Sequence, residues 1–202
     1  MEKTKVYFTD FRTGLGVSLP DKLKKLIRLA GIGSIDMDGK LVAIKMHFGE
    51  MGNIAYLRPN YAKAVADVVK EQGGKPFLTD CNTLYPGYRK NAIDHLYCAE
   101  VNGFGWMTTG CPVIIGDGLR GTDDVEVPVR NGEYCRTAFI GKSVMDADVF
   151  ISLAHRLQPR HRSVMTWGFP LLCCCILPAR EPQPMPMFLS VPPKPVASWP
   201  LK

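Results

Sequence analysis

The residues best suited to chemistry in this chain come directly after runs of apolar ones. In KMHFGEMGN, residues 45–53, His47 and Glu50 lie beside Gly49, Gly52 and Asn53, immediately after LVAI. An imidazole and a carboxylate on glycine-loosened backbone can move protons or ligate a divalent cation. A plain turn needs only a Gly or an Asn, and turn propensity does not put a histidine between Met46 and Phe48. The same pattern recurs downstream. TDCNTLY places Asp80, Asn82 and Thr83 after a second apolar run, IIGDG places Asp117 after a third, and SLAH places His155 after the last. His47, Glu50, Asp80, Asp117 and His155 form the candidate metal set. Gly49, Gly52, Asn53, Asn82 and Thr83 join them as candidate ligand-binding positions. Arg58 and Arg89 add guanidinium groups able to clamp an anion, although solvated arginines are common. Asp and Asn after strands also cap helices and shape turns without binding anything. His95 falls inside a helical stretch and reads as a packing or surface residue.

Strands alternating with helices would bring these positions together. LVAIKM (41–46) is a near-continuous apolar run of the kind that parallel sheets bury on both faces. KPFLT (75–79), PVIIG (112–116) and DVFISL (148–153) read the same way, TKVYFTD (4–10) as a first strand, and residues 124–129 as an exposed or edge strand. Between them, Ser18 and Pro20 open a helix over about 19–30, with Leu23, Leu26, Ile27 and Ala30 on one stripe. Pro59 opens a second, carrying Ala62, Val65, Ala66 and Val69 and ending at Gly73-Gly74. Further helices are expected over about 91–101 and 141–146. The expected fold is α/β, a mostly parallel sheet flanked by helices. In such sheets ligands bind at the carboxyl ends of the strands, where the candidate residues fall.

Composition narrows the function classes. The 202 residues carry a net charge of +6, but +5 of it lies from Arg156 onward, where six basic residues face one acid. The first 155 residues are nearly neutral, which argues against a nucleic-acid-binding face. No secretory leader and no membrane-length apolar run is evident, so a cytoplasmic protein without membrane partners is expected. The seven cysteines contain no CxxC pair, so no zinc ribbon or iron–sulfur site is expected in this chain. GDGLRG, residues 116–121, matches G-x-G-x-x-G but runs into the strand-like TDDVEVPV. A dinucleotide site needs a helix starting there, so that reading is set aside.

Composition changes sharply after His155. Ten of the 16 prolines lie beyond residue 155, against one of the 19 glycines. Residues 1–155 are therefore read as the α/β domain and 156–202 as an irregular Pro-rich tail, either a genuine extension or out-of-frame sequence. The apolar patch within 165–178 is expected to cover the last strand.

HFGEMGN together with LRPNYAKAVADVVKEQGGKPFLTDCNTLYPGYRKNAIDHL and GDGLRG resembles the DUF362 family of prokaryotic proteins, over roughly residues 3–155. The resemblance implies an α/β domain and a redox connection, because many relatives carry a segment with cysteines for two [4Fe–4S] clusters. It implies no catalytic residue. Relatives continue past the equivalent of SLAH with a Lys-Gly-His element and a glycine-rich stretch, where this chain reads RLQPRHRSVMTW. Two functions follow as expectations. One is part of an iron–sulfur-associated oxidoreductase with a redox partner, its cluster segment absent here. The other is a non-catalytic domain holding a small anion or a metal.

Overall fold

A computed structural model describes residues 5–129, 134, 136–155 and 172–178. The first helix, α1 (Leu19–Leu29), is fixed at its start by a reciprocal pair of bonds. Ser18 Oγ accepts from the Asp21 N–H at 3.2 Å, and the Asp21 carboxylate accepts from the Ser18 N–H at 3.0 Å. Such a cap is worth about 0.5–2 kcal/mol. Strand β1 (Leu41–Lys45), helix α2 (Pro59–Glu71), strand β2 (Lys75–Asp80), helices α3 (Ala92–Val101) and α4 (Trp106–Thr109), and strand β3 (Val113–Ile115) follow. A hairpin of β4 (Asp124–Pro128) and β5 (Thr137–Gly141) runs into α5 (Lys142–Met145). Strands β6 (Val149–His155) and β7 (Leu172–Pro178) complete the described elements.

The main sheet has the order β3-β2-β1-β6-β7. The first four strands are parallel, and β7 runs antiparallel on the outer edge of β6. Because β1 is buried on both faces, Val42, Ala43 and Ile44 are all fully enclosed. Val42 and Ile44 join Leu23 and Ile27 of α1, Val65 and Val69 of α2, and Ala99 of α3 in the large core on one face of the sheet. Ala43 and Phe77 meet Ala147 on the other face. Burying a side chain such as Ile44 contributes roughly 1.5–3 kcal/mol.

The chain passes from β1 to β2 to β3 in one direction and returns to place β6 on the other side of β1. That reversal makes the carboxyl ends of β1 and β6 the point where an open α/β sheet parts to form a crevice. Lys45 pairs with Ser152 in this register, so the His47 loop leaves the sheet at the crevice.

One expectation needs correction. Residues 5–10 form no strand. Val6 and Phe8 are exposed and only Tyr7 reaches the core, so the β-rich composition lacks a pairing partner. The exposed strand expected at 124–129 is present as β4 and pairs with β5, which the sequence left unassigned. Residues 172–178 form β7 against the last parallel strand, the position expected for the apolar patch. The rest of the Pro-rich tail lies outside the described residues. Among the described residues no helix is long and apolar enough to cross a membrane.

Candidate functional site

Pairing of β1 continues one residue past its end, with the Met46 N–H donating to Thr79 O at 3.0 Å. The extended alternation therefore persists. Met46 and Phe48 are buried, while Lys45 is half-buried and His47 exposed on the opposite phase. Strand geometry puts residues i and i+2 on one side, so the ammonium and the imidazole project together over the rim of the sheet.

Gly49 then turns the chain at φ +86°. Its N–H donates to His47 Nδ1 at 2.9 Å. With that lone pair occupied, the neutral ring carries its proton on Nε2, which is left as a donor. The turn is clamped from behind. Asn102 Nδ2 donates to Phe48 O at 2.8 Å and the Tyr56 hydroxyl donates to Asn102 O at 3.3 Å. Gly52 and Asn53 complete the loop as turn residues, Asn53 Oδ1 accepting from the Ala55 N–H at 2.8 Å.

Asp80 ends β2 almost fully buried. Its Oδ1 accepts from the Cys81 N–H at 3.0 Å and lies 3.6 Å from Lys45 Nζ. Its Oδ2 stands 3.5 Å from Arg89 Nη1 and 3.8 Å from His95 Nε2. Arg89, only 4 % exposed, reaches across to Glu50, with Nε donating to Oε2 at 3.1 Å, and also donates to the Tyr85 hydroxyl. Glu50 Oε1 accepts from the Tyr88 N–H at 3.2 Å. One buried guanidinium thus ties the 46–58 loop to the 81–91 loop.

Burial dominates the electrostatics here. It pushes the Asp80 carboxyl above the ordinary carboxylate value, against the opposing pull of Lys45, the Cys81 N–H, His47 and Arg89. It pushes His47 down, with the Arg89 charge adding to the effect and Asp80 opposing it. His95 is lowered to about 4, first by burial and then by Arg89. Its ring is fully enclosed, edge-on to Phe48 with centroids 5.8 Å apart, and neither nitrogen has a partner among the described residues. Each buried, unpaired polar group costs about 1–3 kcal/mol.

His95 contributes a pH dependence of definite sign. Its folded value lies below its unfolded one, so between pH 6.5 and about 4 the unfolded chain binds the extra proton. That contribution to stability is present near neutrality and is lost on acidification. The wild-type chain is expected to lose more stability than His95→Leu between about pH 6.5 and 4, by urea unfolding at each pH.

Of the residues picked from sequence, His47, Glu50 and Asp80 come together around Arg89. Asp117 and Asn82 engage each other. The Asp117 carboxylate accepts from the Asn82 N–H at 3.0 Å and from Asn82 Nδ2 at 2.8 Å, and Nδ2 also reaches Gly118 O at 2.8 Å. This latch closes the 116–121 turn, and β4 follows it as a strand, so no helix begins at GDGLRG. Thr83 braces the second loop, its N–H donating to Arg89 O at 2.8 Å. Arg58 is exposed at the start of α2 and has no side-chain hydrogen bond or ion pair among the described residues. His155 ends β6, and its side chain lies outside the described residues.

The sequence pattern leaves Lys45 out of the candidate set, gives Arg89 low weight as an anion clamp and marks His95 as a packing or surface residue. The polar-apolar alternation of Lys45-Met46-His47-Phe48 was a usable signal for the first, and the stripe Ala92-His95-Ala99 for the last. Arg89 is marked in the sequence only as an anion clamp alongside Arg58, with nothing there to show that Glu50 and Asp80 flank it.

No group of three or more His, Cys, Asp or Glu side chains is gathered for a metal ion among the described residues. Cys81 is raised to about 11 by burial and by the Asp117 and Asp80 charges, while Cys98 and Cys111 are buried and also raised.

Comparison with known proteins places these residues in a family. Residues 42–181 match the family model described as a domain of unknown function, DUF362, a span that runs past His155. A thylakoid-associated protein of Synechocystis sp., sll1697, is 30% identical over 169 residues, covering 79% of this chain and 46% of that protein. The chain therefore spans less than half the length of the curated relative it matches. No solved structure matches. With the family model covering well over half of its residues, the chain belongs to the DUF362 family.

Proposed function

We propose that the rim formed by Lys45 and His47 holds a small oxyanion, such as a phosphate or carboxylate group. The observation that carries this reading is the Gly49 N–H bond to His47 Nδ1, which leaves Nε2–H as a donor on an exposed ring, two residues along the strand phase from the Lys45 ammonium. A ring so held donates; to ligate a metal through Nε2 it would have to give up that proton or that bond. The setting at the strand reversal of a parallel sheet also supports a ligand crevice. Arg89 serves as internal bracing, since Glu50, Asp80 and Tyr85 already surround its guanidinium.

Inorganic phosphate should raise the melting temperature of the purified chain beyond a sodium chloride control of equal ionic strength, because a ligand that binds only the folded state stabilises it. His47→Ala should abolish that increment while unfolding within about 0.5 kcal/mol of wild type, as an exposed side chain does. Stabilisation by a divalent cation but not by phosphate would favour the metal reading instead.

For the longer protein, the iron–sulfur-associated oxidoreductase function and its redox partner rest on the family resemblance, with the cluster carried by segments outside those described. The relative's greater length is compatible with this. Iron and acid-labile sulfide analysis of the purified 202-residue chain should find essentially none. Stoichiometric cluster would overturn that division of labour. A cytoplasmic setting, part of the same proposal, agrees with the free thiols of Cys81, Cys98 and Cys111.

A further inference from the structure

Below the rim lies a second set of polar groups with nothing to bind. His95 is 0 % exposed, and both of its ring nitrogens lack a partner among the described residues. It is the one described residue contributing two such atoms; Thr79 and Asn82 contribute one each. A leucine would fill the same space on the buried stripe of α3 without stranding polar atoms, so packing alone does not account for an imidazole. The ring nitrogen Nε2 faces Asp80 Oδ2 at 3.8 Å, too far for a hydrogen bond. Asp80 Oδ2 has only Arg89 Nη1 otherwise, at 3.5 Å. Its other oxygen is the one turned toward Lys45 at the rim. An underused acceptor and an underused imidazole therefore sit one carboxyl group away from the anion-holding cations.

We propose that Asp80 and His95 receive a hydroxyl group carried next to the anionic group of the ligand, which makes the ligand a small hydroxy acid or its phosphate counterpart. This rests on the anion-site reading. A hydroxyl both donates and accepts, so it satisfies Asp80 Oδ2 and His95 Nε2 together, accepting from one and donating to the other. A carbonyl oxygen only accepts and leaves the carboxylate unserved. The order of groups along the crevice, Lys45, then Asp80, then His95, matches an anion followed by an adjacent hydroxyl. Asp80 lies between the half-open Lys45 and the wholly enclosed His95, so a ligand held at Lys45 reaches His95 past the Asp80 carboxyl.

The test uses the full chain and three probes in calorimetric titrations: inorganic phosphate, acetate and glycolate. Glycolate differs from acetate by the hydroxyl alone. Wild type should bind glycolate roughly tenfold or more tightly than acetate, since a site built to bond a hydroxyl penalises the ligand lacking it. His95→Leu should bring glycolate to within about twofold of acetate and leave phosphate affinity unchanged, whereas His95→Gln, which can still donate and accept, should keep a preference. Phosphate binding with equal glycolate and acetate affinities on wild type overturns this inference and leaves the anion site standing. A preference that survives His95→Leu overturns it as well. Binding of none of the three probes overturns the anion site and this inference together. Should His95→Leu fail to fold, the wild-type comparison decides alone.

Discussion

Arg89→Met is expected to destabilise the chain by about 3–5 kcal/mol, the usual result of removing one member of a buried ion pair. The guanidinium stands between two carboxylates, Glu50 at 3.1 Å and Asp80 at 3.5 Å, and is itself 4 % exposed. Methionine fills a similar volume, so the loss comes from carboxylates left without a counter-ion. Glu50 retains 29 % side-chain exposure and can turn to water, which points to the lower end of the range. Asp80 cannot. The deficit should also depend on pH in a defined direction. Burial already raises the Asp80 value, and Arg89 is one of the groups opposing that rise. Without it the folded state holds the Asp80 proton more tightly than the unfolded chain does, so stability falls as pH rises through that window. Urea unfolding should show a larger deficit near pH 8 than near pH 5, and Asp80→Asn combined with Arg89→Met should recover part of it. A loss below about 1 kcal/mol, independent of pH, would mean that Arg89 is solvated and ties no loops together.

Gly49→Ala is the second large effect, and it reaches the site through the backbone. At φ +86° an L-residue carries a strain of roughly 1–2 kcal/mol. A methyl group there would also lie 2.6 Å from the Tyr56 ring and 2.7 Å from Asn102 Nδ2, both closer than atoms can approach. Tyr56 and Asn102 are the side chains that clamp the turn from behind. Relieving the clash means moving them, an overpacking cost of about 1–3 kcal/mol. The expected loss is about 2–5 kcal/mol in total, with phosphate stabilisation lost too, because the Gly49 N–H no longer holds His47 in its tautomer. Gly52→Ala is the control. Its φ is +78° but an added Cβ meets nothing within 4 Å, so only the strain applies and His47 keeps its partner.

What the sequence conveyed well was whatever depends on local pattern. The stripe Leu23-Leu26-Ile27-Ala30 and the cap at Ser18 located α1 to within a residue, and the apolar runs located β1, β2, β3 and β6. The rim position of His47, Glu50 and Asp80 followed from a parallel sheet, which aligns strand ends whatever lies between them. Residues 5–10 show where pattern stops: β propensity gives a willing strand, but pairing is decided by a neighbour far away in sequence. Arg89 shows the same limit in the site. Its importance comes from two carboxylates, Glu50 on another loop and Asp80 at the end of β2, and from enclosure by the fold. Asp117 is the converse case. Its position after a strand suggested a ligand, yet the Asn82 amide, thirty-five residues away, takes its carboxylate. The tautomer of His47, on which the functional reading turns, depends on one backbone N–H at 2.9 Å and could not be read from residue types.

The proposed oxyanion site lies between the loops at the ends of β1 and β2 and is presented by Lys45 and His47. The most direct measurement is a phosphate titration of the nitrogen-15-labelled chain followed by amide NMR. Saturable shifts are expected, confined to residues 45–53 and 79–91, together with a change at the His47 side-chain Nε2–H, none of which occur in His47→Ala. Saturable shifts that map elsewhere, or no saturable shifts at all, would contradict it.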